Sequence, residues 1–332
     1  ALLQDAVEFS SLGMVVVDEQ HRFGVEQRDR LRSKAPEGVT PHLLVMTATP
    51  IPRTVALTYY GDLETSTLRE LPRGRQPIAT NTIFVNERKS WLDRAWQRIA
   101  EEVREGRQAY VVASRIDEND KVTDDEKRRG GPPPITVVEL FDRLSTGPLA
   151  GLRLGLMHGR LPPDEKDAVM AAFRAREIDV LVCTTVIEVG VDVPNATVML
   201  VMDADRFGIS QLHQLRGRIG RGQHPSLCLL VTRLPEGSKA GARLTAVAST
   251  LDGFRLADLD LEERQEGDVL GLNQSGRAIT LRFLSLSRHL DVILAAREFC
   301  TDLYEKNPEH AGMAALAATF VDTDRVEYLD KA

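Results

Sequence analysis

The chain has 332 residues, 42% of them hydrophobic and 27% charged, with 24 glycines and 16 prolines. That profile excludes collagenous, disordered and single-small-module classes and suits a globular protein of two domains or a little more. A formal net charge of −7 excludes nucleic-acid binding driven by overall charge, so any such site must be a local basic groove. No apolar run approaches the roughly 18 residues of a membrane span, and the opening residues lack the basic start and clean apolar stretch of a signal peptide, which predicts a cytoplasmic protein with no membrane partner. The missing initiator Met and abrupt opening predict a processed chain or a fragment. Cys183, Cys228 and Cys300 are far apart, with no C-x-x-C spacing, so neither a disulfide framework nor a zinc site is expected and all three are assigned to the core.

In chain order, short runs rich in Val, Ile and Leu at Met14–Val17, Leu43–Met46, Ala109–Ala113, Leu152–Met157, Val180–Cys183, Thr197–Met202 and Cys228–Val231 predict buried strands. Helical patterns lie between them at Trp91–Arg104 and Asp164–Arg174, the second introduced by Pro162-Pro163 and an acidic first turn. Strand alternating with helix predicts an α/β fold with a mostly parallel sheet. Two predicted strands precede residue 70 and five follow, so the first α/β unit reads as truncated and the second as nearly complete. The PRGRQP stretch at 72–77 marks one boundary and Leu234-Pro235-Glu236-Gly237 a second, after which helical patterns dominate. The expected division is 1–72, 73–235 and 236–332. Residues 117–134, charged and ending in Gly and Pro, predict a solvated surface loop.

The first chemistry-bearing feature is Asp18-Glu19-Gln20-His21, which places two carboxylates at the end of a buried strand, where open α/β sheets bind ligands. One carboxylate there suits Mg²⁺ and the next suits a proton acceptor for a water attacking a γ-phosphate. An ordinary strand-to-loop transition fits the same four residues. Thr47-Ala48-Thr49-Pro50 closes the next strand with two hydroxyls, and its plain alternative is a Pro-terminated turn. Gln214-Leu215-Arg216-Gly217-Arg218-Ile219-Gly220-Arg221 fits Q-x-x-G-R-x-G-R; two arginines three apart on one helical face would clamp the developing charge of a polyphosphate, or form a basic patch for a phosphate backbone.

Together and in this order these motifs resemble motifs II, III and VI of the superfamily 2 helicases, whose two RecA-like domains bind ATP between them. The resemblance makes Asp18 the Mg²⁺ carboxylate, Glu19 the base, and Arg218 and Arg221 arginine fingers, with Gln20, His21, Thr47, Thr49 and Gln214 coupled to the nucleotide. Residues 183–192 resemble motif V, in which Thr184 and Thr185 touch nucleic-acid phosphates and Gly190 and Asp192 couple to nucleotide. Ser114-Arg115 and His158-Gly159-Arg160 follow predicted strands and are similar to further strand-backbone contacts, Ser114, Arg115, His158 and Arg160 being the expected DNA-binding residues.

A closer resemblance covers nearly the whole chain. DEQHRFGVEQR (18–28), HLLVMTATPIPRTVALTYYGDL (42–63), ELPRGRQPI (70–78), GLMHGRL (155–161), TTVIEVGVDVPNA (184–196) and DRFGISQLHQLRGRIGRG (205–222) resemble the RecG family of ATP-dependent DNA helicases, in its C-terminal portion. Beyond the motor, Arg243-Leu244, Asp252-Gly253-Phe254, Asp258–Leu261, Gly267-Asp268 and Gly271 to Gly276 resemble the translocation motif that this family shares with the transcription-repair coupling factor, with Arg243 and Gln274 at coupling positions. One departure stands out: Arg264-Gln265-Glu266-Gly267 replaces the usual Arg-Gly-Pro-Gly, which changes the local turn preference. The resemblance implies RecA-like domains followed by a small helical translocation domain, ATP and Mg²⁺ as cofactors, and branched DNA (stalled forks and Holliday junctions) as substrate. It also implies a role in recombination and repair, a single-stranded-DNA-binding protein as a partner, and a monomer at the bacterial nucleoid.

No G-x-x-x-x-G-K-[ST] occurs in the sequence, so the usual phosphate cradle is not among these residues. The chain by itself is therefore expected to be inactive, since positioning supplies most of phosphoryl-transfer catalysis. A non-catalytic DNA-binding fragment and a coupling-factor-like double-stranded DNA translocase are the competing readings.

Overall fold

A computed structural model describes residues 2–4, 6–19, 30–31, 33–36, 39–47, 66–68, 76–116, 133–185, 192–263, 289–307, 310–312 and 315. The chain divides into two compact units, residues 1–67 with 257–332, and residues 68–256. In the first, β1 (Met14–Val17) pairs in parallel with β2 (His42–Val45). Val15 and Val17 are buried while Met14 and Val16 are exposed, the alternation expected when only one face of a strand is covered.

The second unit is built on a six-stranded, wholly parallel sheet. Its elements are β3 (Ile78–Phe84), α1 (Lys89–Arg104), β4 (Gln108–Val112), α2 (Val137–Thr146), β5 (Leu154–Met157), α3 (Pro163–Arg174), β6 (Val180–Cys183), β7 (Ala196–Val201), α4 (Ile209–Arg216), β8 (Ser226–Thr232) and α5 (Lys239–Ser249). The strand order is β3-β8-β7-β4-β6-β5. The central strands β4, β6 and β7 are buried at every position, as strands covered on both faces must be. On one face Val111, Val182 and Leu200 pack with Ile99 of α1 and Leu140 and Leu144 of α2. On the other, the Tyr110 ring tilts against Phe173 of α3 at 5.1 Å. α6 (Gly253–Glu263) and α7 (Leu290–Lys306) follow α5, so the described tail is helical.

Two expectations are corrected, and one helix lies outside the patterns read from the sequence. The sheet has a strand before residue 109 that the apolar runs do not reveal: β3 reads IATNTIF, mixes polar with apolar residues, and bonds to β8 alone at the sheet edge. α2 also escapes the apolar-run pattern, although Thr136 caps it by accepting the Glu139 N–H at 3.2 Å, which is half of an S/T-x-x-E capping box. Cys300 is exposed on α7, whereas Cys183 and Cys228 are buried, burial pushing the Cys228 thiol up to about 12.

One buried charge ties α1 to the sheet. The Glu102 carboxylate, 2% exposed, accepts hydrogen bonds from Arg107 and from the Thr197 hydroxyl of β7 at 2.6 Å, and pairs with Arg98. Burial pushes its pKa up, but those hydrogen bonds and the charges of Arg98 and Arg107 outweigh it and hold the group below its ordinary 4.5. A depressed carboxylate stabilises the fold fully above that ordinary value and loses its contribution as pH falls through the folded value. Urea unfolding midpoints should therefore drop below pH 4.5, and Glu102→Gln should flatten that part of the profile; a parallel profile in the variant would assign the acid loss elsewhere.

Candidate functional site

In the first unit, the register pairs Val17 with Val45, so Asp18-Glu19 and Thr47 leave the same carboxyl edge of the β1/β2 sheet. The Asp18 Oδ1 accepts the N–H of Glu19 at 2.9 Å. Glu19 stands at φ 53°, in the left-handed region that costs a non-glycine residue about 1 kcal/mol and recurs where function fixes a side chain. Gln20, His21 and Thr49 lie outside the described residues.

The second unit gathers its expected nucleic-acid contacts on one edge. Cys183 pairs with Met157 on one side and Val112 on the other, so His158, Thr184 and Ala113 come abreast on adjacent strands about 4.8 Å apart. Ser114 and Arg115 follow β4, Arg160 follows His158 in the turn after β5, and Thr185 follows Thr184. Carboxyl ends of parallel strands at a point where the chain winds to both sides are where open sheets bind ligands, and β4 is flanked by β7 and β6 in that way. Arg115 is 9% exposed and borders a cavity of about 380 Å³ shared with Ile135, Thr136, Glu139, Arg143 and Arg233.

Arg218 and Arg221, the arginines expected to face a nucleotide, sit at the opposite edge, ahead of β8. They are not on a helical face: α4 ends at Arg216 and Gly217 caps it, leaving Arg218 and Arg221 in the following turn. Two glycines shape that turn. Gly220 has φ 71°, and a Cβ there would stand 2.7 Å from Ile78, the first residue of β3; a Cβ on Gly222 would stand 2.4 Å from the Pro194 carbonyl oxygen just ahead of β7. Held so closely, Arg221 donates from Nη1 to Asp192 at 3.2 Å and from Nε to the Gly217 carbonyl at 3.2 Å. Asp192 and Arg221 are thus brought together, with Gln214 on α4 upstream; Gly190 lies outside the described residues.

Arg216, at a variable position of the motif and given no role from the sequence, is the most buried arginine of this region at 3% exposure. It donates from Nη1 to the carbonyls of Val247 at 3.0 Å and Thr250 at 2.8 Å, and its Nη2 lies 3.0 Å from His213 Nδ1. Arg243 of α5 donates to the Asp205 carbonyl at 2.7 Å, in the single 3₁₀ turn Ala204–Arg206 that precedes α4. Arg216 therefore ties α4 to the end of α5, and Arg243 ties α5 to the turn that precedes α4. The signal for Arg216 was its place as the one Lys or Arg within α4, on a helix whose Leu212 and Leu215 are buried. Gln274 lies outside the described residues.

No group of three or more His, Cys, Asp or Glu suited to a metal occurs among the described residues, and no described helix is long and apolar enough to cross a membrane.

Residues 94–223 match the model of the helicase conserved C-terminal domain. The chain is 72% identical over 331 residues to the ATP-dependent DNA helicase RecG of Mycobacterium tuberculosis, covering 100% of this chain and 44% of that protein. It is 43% identical over 316 residues to the RecG of Bacillus subtilis, covering 94% of this chain and 44% of that one. A solved structure of RecG bound to a three-way DNA junction superposes with a TM-score of 0.63 and 37% identity, covering 88% of this chain and 35% of that chain. The chain spans under half the length of these relatives. Its parallel-sheet α/β architecture is RecA-like, and the chain belongs to the RecG family of superfamily 2 DNA helicases, as a C-terminal portion of it.

Proposed function

We propose that this chain is the C-terminal portion of an ATP-driven motor that remodels branched DNA, namely stalled replication forks and Holliday junctions, in recombination and repair. The observation that carries the reading is the division of labour in the second unit: the expected strand contacts occupy one edge of the sheet and Arg218, Arg221 and Asp192 the other. Residues 1–72 are then the C-terminal part of a first motor domain, 73–235 a second motor domain, and 236–332 a helical extension that carries motor movement to DNA.

A single Asp beside a Thr-bearing strand end fits Mg²⁺, which is ordinarily held by one or two carboxylates together with substrate phosphates. Asp18 would hold that ion, which neutralises charge on the β- and γ-phosphates when bound. Glu19, fixed in its left-handed conformation, orients the attacking water and accepts its proton. Arg218 and Arg221 meet the charge that develops on the transferred phosphoryl group. Ser114, Arg115, His158, Arg160, Thr184 and Thr185 hold the DNA backbone, so binding is salt-sensitive and indifferent to sequence. Arg243 and Gln274 couple the ATP cycle to strand movement. The working protein is a monomer at the bacterial nucleoid, with a single-stranded-DNA-binding protein as partner.

The absence of a G-x-x-x-x-G-K-[ST] segment favours a second reading for the chain taken alone, a DNA-binding portion without turnover. Junction-stimulated ATP hydrolysis tests both, measured on this chain and on a version extended to the relatives' length. Activity in the extended form alone supports the motor with an inactive C-terminal portion, activity in both overturns the inactivity, and activity in neither leaves a binding protein.

A further inference from the structure

We propose that Asp203, acting through Arg233, is a positioning residue for the nucleic-acid contact at Arg115. The inference rests on the proposed assignment of Arg115 to the DNA backbone. Asp203 follows β7 and Arg233 follows β8, both at the edge that carries Arg115. Asp203 is 5% exposed and stands at φ 46°, a left-handed conformation that a non-glycine residue keeps only when its surroundings fix it.

What fixes Asp203 is a set of bonds filling both carboxylate oxygens. Oδ1 accepts from Arg233 Nε at 3.1 Å and Nη2 at 2.9 Å, and Oδ2 accepts the Ile135 N–H at 2.9 Å. Arg233 Nη2 also donates to the Pro133 carbonyl at 2.7 Å. Residues 133–135 are thereby held at two points by charge-assisted bonds, the stronger kind. The next residues seat Arg115: Thr136 forms a parallel bridge with it, and the Val137 N–H donates to its carbonyl at 2.8 Å. The route from Asp203 to Arg115 runs along the backbone of 133–137.

The route predicts an effect opposite in sign to simple electrostatics. Replacing a carboxylate near a phosphate site with an amide removes repulsion and should tighten DNA binding if charge alone mattered. If Asp203 positions Arg115, Asp203→Asn weakens binding of the 332-residue chain to a three-way DNA junction by about tenfold and lowers the log–log salt slope by about one, the share of one phosphate contact. Arg115→Ala should do the same, and the double variant should lose no more than Arg115→Ala alone. Arg233→Lys keeps the cation but not the fork that joins Asp203 to Pro133, so its slope should fall as well and serves where Asp203→Asn does not unfold cooperatively. Tighter binding or an unchanged slope in folded Asp203→Asn or Arg233→Lys, or additive losses in the double variant, overturns the inference alone. An unchanged slope in Arg115→Ala overturns the Arg115 assignment and the inference together.

Discussion

Arg221→Ala, in a protein extended to the relatives' length, is expected to lower junction-stimulated ATP turnover by about a thousandfold while leaving junction affinity within about twofold. The expectation follows from where the side chain is held. Gly220 and Gly222 press the turn against Ile78 and the Pro194 carbonyl, so the Arg221 backbone cannot drift, while its guanidinium is 35% exposed and, among the described residues, bonds to Asp192 and the Gly217 carbonyl. An exposed ion pair of that kind contributes little to stability, so the variant should fold like the parent. An arginine that meets transition-state charge in phosphoryl transfer is worth far more than that, about three to five orders of magnitude in turnover. Arg221→Lys keeps the charge but loses the planar fork and should recover little activity. Turnover within tenfold of the parent would remove Arg221 from the catalytic role, and an equal loss of DNA binding would reassign it to the strand contacts.

The sheet's interior was legible because buried parallel strands announce themselves. Val180–Cys183 is a strand at the bounds its apolar run predicts, and the runs near 109, 197 and 228 differ from the observed strands by one or two residues; Met14–Val17 also has its predicted bounds but, in the separate two-stranded sheet, is buried on one face only. β3 was not legible because an edge strand need not be continuously apolar; Asn81 and the threonines beside it sit where only one neighbour demands pairing. The site shows the same split. Asp18 and Thr184 directly follow a strand, Glu19 is the second residue after one and Arg115 the third, so a local pattern places them at an edge. Asp203 and Arg233 are 30 residues apart, and their bond depends on β7 and β8 lying side by side, which no local window contains. The helical face expected for Arg218 and Arg221 failed because α4 ends at Arg216, ahead of both, and the chain then turns through Gly220 at φ 71°.

Arg216→Ala is expected to destabilise the second unit by about 2–4 kcal/mol, read as a lower urea midpoint with an unchanged slope. Burial pushes this guanidinium's pKa below its ordinary value, yet an arginine stays protonated, so the protein keeps a full charge inside and must satisfy it. It does so with the Val247 and Thr250 carbonyls at the end of α5, which ends without a glycine or a basic residue in its last turn to serve them. Truncation leaves both carbonyls in a space that Arg216 filled, adding a cavity to two lost charge-assisted bonds. Arg216→Lys can reach one carbonyl but not fork to two, and should recover about half of the loss. Hydrogen exchange separates this from a general weakening: protection should fall first along Lys239–Ser249, because α5 then hangs on Arg243 and its bond to the Asp205 carbonyl, while β4 and β6 keep theirs to the global limit. A midpoint shift below about 0.5 kcal/mol would mean that α5 is held by its apolar contacts alone. Loss of protection spread evenly over the sheet would mean that Arg216 supports the whole unit instead of one helix.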